Sequence, residues 1–140
     1  MKIYIAASWK NQHAVEMLTG YLRDSGNEVL SFIENNHLEG HGAEKPIPFH
    51  EWLETEQADQ SFQYDTESIR KSDLVIYISP SGADAWAEVG LAHGLEKDIY
   101  GLCAKGEQIG LMRKMVDYWF DDYRTLLKAV KGLKEHFECL

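Results

Sequence analysis

The spacing of apolar residues along the chain predicts strands that alternate with helices. Short apolar runs without turn residues are typical of strands buried in a parallel sheet. They occupy residues 2–7, 28–32, 73–79, 99–104 and 116–120. Between these runs apolar residues recur at helical spacing, which predicts helices over residues 11–24, 65–72, 84–95 and 123–137. Weaker patterns suggest a helix over residues 49–60 and a short one over 108–115.

This alternation predicts one α/β domain over residues 1–140, because no repeat, low-complexity segment or linker divides the chain. We expect a single doubly wound parallel sheet of about five strands in the flavodoxin-like order 2-1-3-4-5. Ligands of such sheets bind at the carboxyl edge, at the switch point between the first and third strands. The loops there are residues 7–11 and 79–82. The irregular stretch 33–63 is long enough to suggest a lid or binding loop.

Composition and charge narrow the class of protein. The chain has 140 residues, 44% hydrophobic and 26% charged, which is typical of a folded domain. A net charge of -9 argues against a nucleic acid polymer as partner. No apolar stretch approaches the roughly 20 residues of a membrane span, and no signal peptide is recognisable. Two cysteines, Cys103 and Cys139, follow no metal-binding pattern, so we expect a cytoplasmic protein in a reducing compartment.

The sequence predicts neither a metal site nor a bound cofactor. His37 and His41 are four residues apart in a glycine-containing loop, and no carboxylate or cysteine stands at a supporting spacing. Neither a P-loop nor a dinucleotide-binding glycine motif occurs. The histidines are therefore expected to lie on a surface loop.

Two carboxylates, Asp84 and Glu88, follow the third predicted strand at the start of a helix. Residues four apart share one face of a helix, and the helix N-terminus favours their ionised forms. Retaining glycoside chemistry uses two carboxyl groups about 5 Å apart. The same spacing is also typical of acidic residues that simply stabilise a first helical turn.

Other candidate residues surround the same edge of the predicted sheet. Asp65 precedes Asp73 by eight residues and is expected to cap a short helix, whereas Asp73 begins a strand at the far edge and is expected to be structural. The backbone of the first loop can hold an anion at a helix start, and Trp9 offers an aromatic wall for a flat base. The candidate substrate-binding residues are Ser8, Trp9, Lys10, Asn11, Ser79, Ser81, Gly82 and Asp84.

Residues 72–102 have the sequence SDLVIYISPSGADAWAEVGLAHGLEKDIYGL. An aspartate before a short predicted helix and a long tryptophan-containing loop lie upstream of this run. With these features the chain resembles the nucleoside 2-deoxyribosyltransferase-like family. That family includes nucleoside 2′-deoxyribosyltransferases and nucleoside 5′-monophosphate N-glycosidases. The resemblance implies that Glu88 attacks the anomeric carbon and that Asp65 binds the substrate or protonates it. It also makes Ser81 and Asp84 candidates for contacts with the sugar or phosphate.

The resemblance implies an enzyme that cleaves or transfers the N-glycosidic bond of a small nucleoside or nucleotide through a carboxylate nucleophile. Hydrolysis and transfer both stay open, and sites shared between subunits in the family imply a homodimer or a higher homo-oligomer. One alternative is a TIR-like NAD glycohydrolase, because Trp86 shortly precedes Glu88 on the predicted helix. Another is a non-catalytic nucleotide-binding or sensing module, because a fold alone does not assign function.

Overall fold

The computed structural model describes residues 1–35, 47–108 and 110–138. The strands are β1 (Lys2–Ala6), β2 (Glu28–Ser31), β3 (Leu74–Ile78), β4 (Asp98–Leu102) and β5 (Tyr118–Phe120). The α-helices are α1 (Gln12–Asp24), α2 (Phe49–Trp52), α3 (Glu56–Lys71), α4 (Ala83–Gly94) and α5 (Tyr123–Glu138). Short 3-10 helices cover Trp9–Asn11, Phe32–Asn35 and Leu111–Met115. Each strand predicted from the sequence is confirmed, with its ends shifted by no more than two residues.

The five strands form one parallel sheet in the order β2-β1-β3-β4-β5. The predicted doubly wound fold is therefore confirmed. β1 and β3 are neighbours, with Ile5 opposite Ile76 and Ala6 opposite Tyr77. β3 is buried along its whole length, because helices cover both faces of the sheet. The loops after β1 and β3 consequently meet at the carboxyl edge, at the switch point.

Successive side chains of a strand point to opposite faces of the sheet, so the core has two layers. The first layer packs β1 and β3 against α1 and α5, and includes Ile3, Ile5, Ile76, Leu22 and Leu126. The second packs the same strands against α3 and α4, and includes Tyr4, Tyr77, Ile69, Val89 and Ala92. Two of the residues that point into the second layer thus carry a hydroxyl group.

Helix α3 joins the helix predicted over residues 65–72 to the second half of the one predicted over 49–60. Thr55 is its N-cap, and the Thr55 hydroxyl accepts a hydrogen bond of 3.2 Å from the backbone N–H of Ala58. Asp65 therefore lies within a 16-residue helix, and its prediction as an N-cap was wrong. The first half of α3 is mostly polar, so its periodicity is weak. Buried Ala58 and Ile69 nevertheless place both halves against the rest of the fold.

Asp73 lies at the amino edge of the sheet, where its carboxylate accepts a 2.8 Å hydrogen bond from the backbone N–H of Lys2. Its predicted structural role is confirmed. His37, His41 and Cys139, which the sequence analysis singled out, lie outside the described residues. Among the helices of residues 1–35, 47–108 and 110–138, none has the length and apolar character needed to cross a membrane.

Candidate active site

A buried tyrosine on β1 marks the centre of the candidate site. Tyr4 is fully buried, and its hydroxyl donates a hydrogen bond to the carboxylate of Glu88 on α4. Burial raises the pKa of Tyr4 well above its ordinary value, and the charges of Glu88 and Asp65 raise it further. The phenol therefore stays protonated and acts as a donor. The structure thus brings together one group from β1, one from α3 and one from α4.

Asp65 reaches this centre from the middle of α3. Its charge acts on Tyr4, and its side chain is half-buried. Because α3 packs beside α4 on the same layer of the sheet, Asp65 and Glu88 approach the tyrosine from neighbouring helices. Both predicted catalytic carboxylates are therefore held on helices, which position side chains more rigidly than loops do.

Asp84, the second carboxylate predicted on this helix, has a different environment from Glu88. Asp84 is exposed in the first turn of α4, whereas Glu88 one turn later is half-buried. Ala85 and Val89 are buried against the sheet and fix the rotation of the helix. Asp84 lies at the rim, beside Gly82 at the N-cap position. Of the pair Asp84 and Glu88, only Glu88 is hydrogen-bonded to Tyr4.

The loops after β1 and β3 meet as predicted, but much of their hydrogen-bonding capacity is used between them. The Ser81 hydroxyl accepts a 2.8 Å hydrogen bond from the backbone N–H of Ser8 and donates one of 2.6 Å to the Ile78 carbonyl. The Asn11 amide donates to the Pro80 carbonyl at 2.6 Å and to the Ser81 hydroxyl at 3.2 Å. The backbone N–H of Ser8, part of the predicted anion-binding loop, is therefore already occupied.

Three further predicted binding residues have separate surroundings. Trp9 packs edge-to-face on Phe32, with ring centroids 5.1 Å apart, against the α1 and α5 layer. Lys10 is exposed. Ser79 is buried, and its hydroxyl accepts from the backbone N–H of Ala104 at 3.4 Å. The structure therefore does not bring the Trp9 ring into the layer that holds Glu88.

Sequence reasoning missed the two tyrosines of the central strands and Glu107 on the loop after β4. Tyr77 on β3 donates a hydrogen bond of 2.7 Å to Glu107, and Tyr4 likewise donates a hydrogen bond to Glu88. One available clue was the presence of tyrosines in strands that are otherwise apolar, since a buried tyrosine usually finds a hydrogen-bond partner. Nothing in the local pattern around Glu107 distinguishes it from a solvent-exposed loop residue.

Depressions of about 30 Å³ and about 160 Å³ lie toward the amino edge of the sheet, and neither is lined by a predicted site residue. Within the described part of the chain, no three histidine, cysteine, aspartate or glutamate side chains form a metal-binding group.

Comparison with solved structures gives relatives that cover nearly the whole chain. A 2-deoxyribosyltransferase from Bacillus psychrosaccharolyticus is 25% identical, with a TM-score of 0.69 over 91% of this chain and 90% of that one. A CMP N-glycosidase from Clostridium botulinum is 22% identical, with a TM-score of 0.60 over 94% and 98%. A conserved protein from Enterococcus faecalis V583 is 17% identical, with a TM-score of 0.64 over 94% and 98%.

The second and third of these relatives support the fold alone. No family model and no curated protein sequence matches the chain.

Proposed function

We propose that the chain cleaves or transfers the N-glycosidic bond of a nucleoside or nucleotide, as its sequence resemblance to the nucleoside 2-deoxyribosyltransferase-like family implies. The structural likeness to a 2-deoxyribosyltransferase over 91% of the chain supports this proposal. The observation that carries the proposal is the hydrogen bond from buried Tyr4 to Glu88, with Asp65 close enough for its charge to act on the same hydroxyl. Two carboxylates on either side of a reacting sugar are the usual means of glycoside cleavage.

Glu88 is the proposed nucleophile. Its carboxylate oxygen attacks the anomeric carbon, the bond from that carbon to the base nitrogen breaks, and the electron pair leaves with the base. Water or a second base then attacks the same carbon and releases Glu88. Tyr4 is the proposed positioning residue, because a hydrogen bond to an ionised acceptor is short and directional.

Asp65 and the rim residues complete the proposed site. Asp65 holds a sugar hydroxyl or delivers a proton to the leaving base, and exposed Asp84 contacts the sugar from the first turn of α4. The proposed role of Ser81 is indirect, since its hydroxyl already joins the two switch-point loops. The base is expected to lie on the solvent side of Asp65 and Glu88.

The test is release of free base from a panel of nucleosides and nucleoside monophosphates, followed by chromatography. Glu88→Gln keeps the size of the side chain but removes its charge, and we expect base release to fall by roughly a thousandfold or more. Glu135→Gln is the matched control, since Glu135 is exposed on α5 in the opposite layer. Intact-mass analysis of the wild type during turnover should show a sugar adduct that Glu88→Gln lacks.

The outcomes separate an enzyme from a binding module. Equal base release by wild type and Glu88→Gln would exclude Glu88 as nucleophile. No release by any protein, with thermal stabilisation by a nucleotide, would favour the non-catalytic sensing module instead.

A further inference from the structure

Glu107 joins two donors that come from different elements of the fold. Its Oε2 accepts a 2.7 Å hydrogen bond from the Tyr77 hydroxyl on β3, and its Oε1 accepts one of 3.1 Å from the Trp86 indole N–H on α4. Glu107 itself lies on the loop that follows β4 and is half-buried. One carboxylate therefore connects this loop, the central strand and the helix that carries Glu88.

Aromatic rings surround the two donors that bind Glu107. Tyr77 and Trp86 pack with ring centroids 4.6 Å apart, and Trp119 lies 5.9 Å from Tyr77. Gly101 makes room for Trp119, because a Cβ there would lie 2.6 Å from the indole ring. Burial raises the pKa of Tyr77, and the hydrogen bond to Glu107 raises it further. Hydrogen bonds shielded from water by aromatic rings are stronger than exposed ones.

The same hydrogen-bond chain continues into the switch-point loops. The Tyr77 oxygen accepts a 3.1 Å hydrogen bond from the backbone N–H of Ser81. The Ser81 hydroxyl in turn accepts from the backbone N–H of Ser8 at 2.8 Å. A continuous series of contacts therefore runs from Glu107 through Tyr77 and Ser81 to Ser8. It joins the loops that follow β4, β3 and β1.

We propose that Glu107 is a positioning residue for the candidate active site, acting through Tyr77 on the switch-point loops and through Trp86 on α4. A carboxylate suits this place because both partners are donors, and a carboxylate offers two acceptor oxygens and no hydrogen. Trp86 precedes Glu88 by two residues, so a shift of this part of α4 would displace the nucleophile. The kinetic part of this inference depends on the proposed function, whereas the structural part does not.

The first measurement is amide hydrogen exchange by NMR in wild type, Glu107→Ala and Glu107→Gln. We expect exchange of the Ser81 amide to accelerate about tenfold or more in Glu107→Ala, with a smaller acceleration at Ser8. The Asp73 amide is the internal control, because it donates a 2.8 Å hydrogen bond to the Lys2 carbonyl at the far edge of the sheet. Its exchange should not change.

The second measurement is the split between kcat and KM on whichever substrate the wild type cleaves. A misplacement of about 1 Å can cost about a hundredfold in rate, so we expect kcat of Glu107→Ala to fall by about tenfold to a hundredfold with little change in KM. Glu107→Gln keeps one acceptor oxygen and should lie between the alanine variant and wild type. Glu135→Ala, on the opposite layer, should match wild type.

Each outcome decides the inference. Wild-type exchange at Ser81 together with wild-type kcat in Glu107→Ala would overturn it, and so would equal acceleration at Ser81 and Asp73, which indicates general destabilisation. If Glu107→Ala does not fold, Glu107→Gln decides by the same two criteria. If the wild type cleaves no substrate, the proposed function fails, while the exchange data still test the positioning role.

Discussion

The two layers of the core use the same pair of strands for different purposes. Toward α1 and α5, β1 and β3 contribute aliphatic side chains such as Ile5 and Ile76. Toward α3 and α4 they contribute Tyr4 and Tyr77, and each hydroxyl is bonded to a carboxylate. The layer against α1 and α5 therefore contributes mainly apolar burial, whereas the layer against α3 and α4 also contains hydrogen-bonded polar groups. The two layers should therefore respond differently to substitution.

The aliphatic layer should affect stability and leave catalysis unchanged. Ile76 is fully buried there, so Ile76→Ala is expected to lower the free energy of unfolding by about 2–5 kcal/mol. Ile76→Val, which removes one methylene, should cost about 0.5–1.5 kcal/mol. Urea denaturation measures both, and base release per folded molecule should match wild type. A loss of kcat in folded Ile76→Val would contradict the division between the layers.

The polar layer should show the opposite behaviour at Tyr4. Tyr4→Phe keeps the ring but removes the donor to Glu88, so the proposed nucleophile loses this contact. We expect kcat to fall by about tenfold to a hundredfold, equivalent to about 1.4–2.7 kcal/mol of transition-state stabilisation. Tyr118→Phe is the matched control, because Tyr118 is exposed on the edge strand. Base-release kinetics showing equal kcat for the two variants would remove Tyr4 from the proposed site.

The early start of α3 can be tested at its cap. Thr55→Ala removes the acceptor for the Ala58 N–H and should destabilise the protein by about 1 kcal/mol. Thr66→Ala, in the interior of the same helix, should be neutral or slightly stabilising, because alanine has the higher helix propensity. Chemical denaturation distinguishes these outcomes. A neutral Thr55→Ala would indicate that the first half of α3 contributes little to folding.

Alkaline pH provides a graded test of the polar layer, because the protonation of Tyr4 changes continuously with pH. The pKa of Tyr4 is raised in the folded state, so its contribution to stability is complete below about pH 10, the ordinary tyrosine pKa. That contribution is lost as the pH rises further, because the unfolded chain releases the proton first. The melting temperature measured from pH 8 to 11 should therefore fall less steeply with pH in Tyr4→Phe than in wild type. Tyr118→Phe should follow wild type.

Much of the fold was predictable because its determinants are local. Short apolar runs gave all five strands, and the strand–helix alternation gave the order of the sheet. The start of α3 was not predictable in the same way. Its first turns expose polar residues on most sides, so the helical period is weak until Ile69, and only the Thr55 cap marks the true beginning.

The place of Glu88, on a helix that follows a central strand at the carboxyl edge, is predictable from the sequence because strand and helix periods are encoded in neighbouring residues. Which groups converge there depends instead on the packing of distant elements. Tyr4 and Glu88 are 84 residues apart in the chain, and Tyr77 and Glu107 are 30 apart. Contacts over such distances depend on how α3, α4 and the loop after β4 pack on one layer of the sheet, and a local pattern of apolar and polar residues does not carry that information.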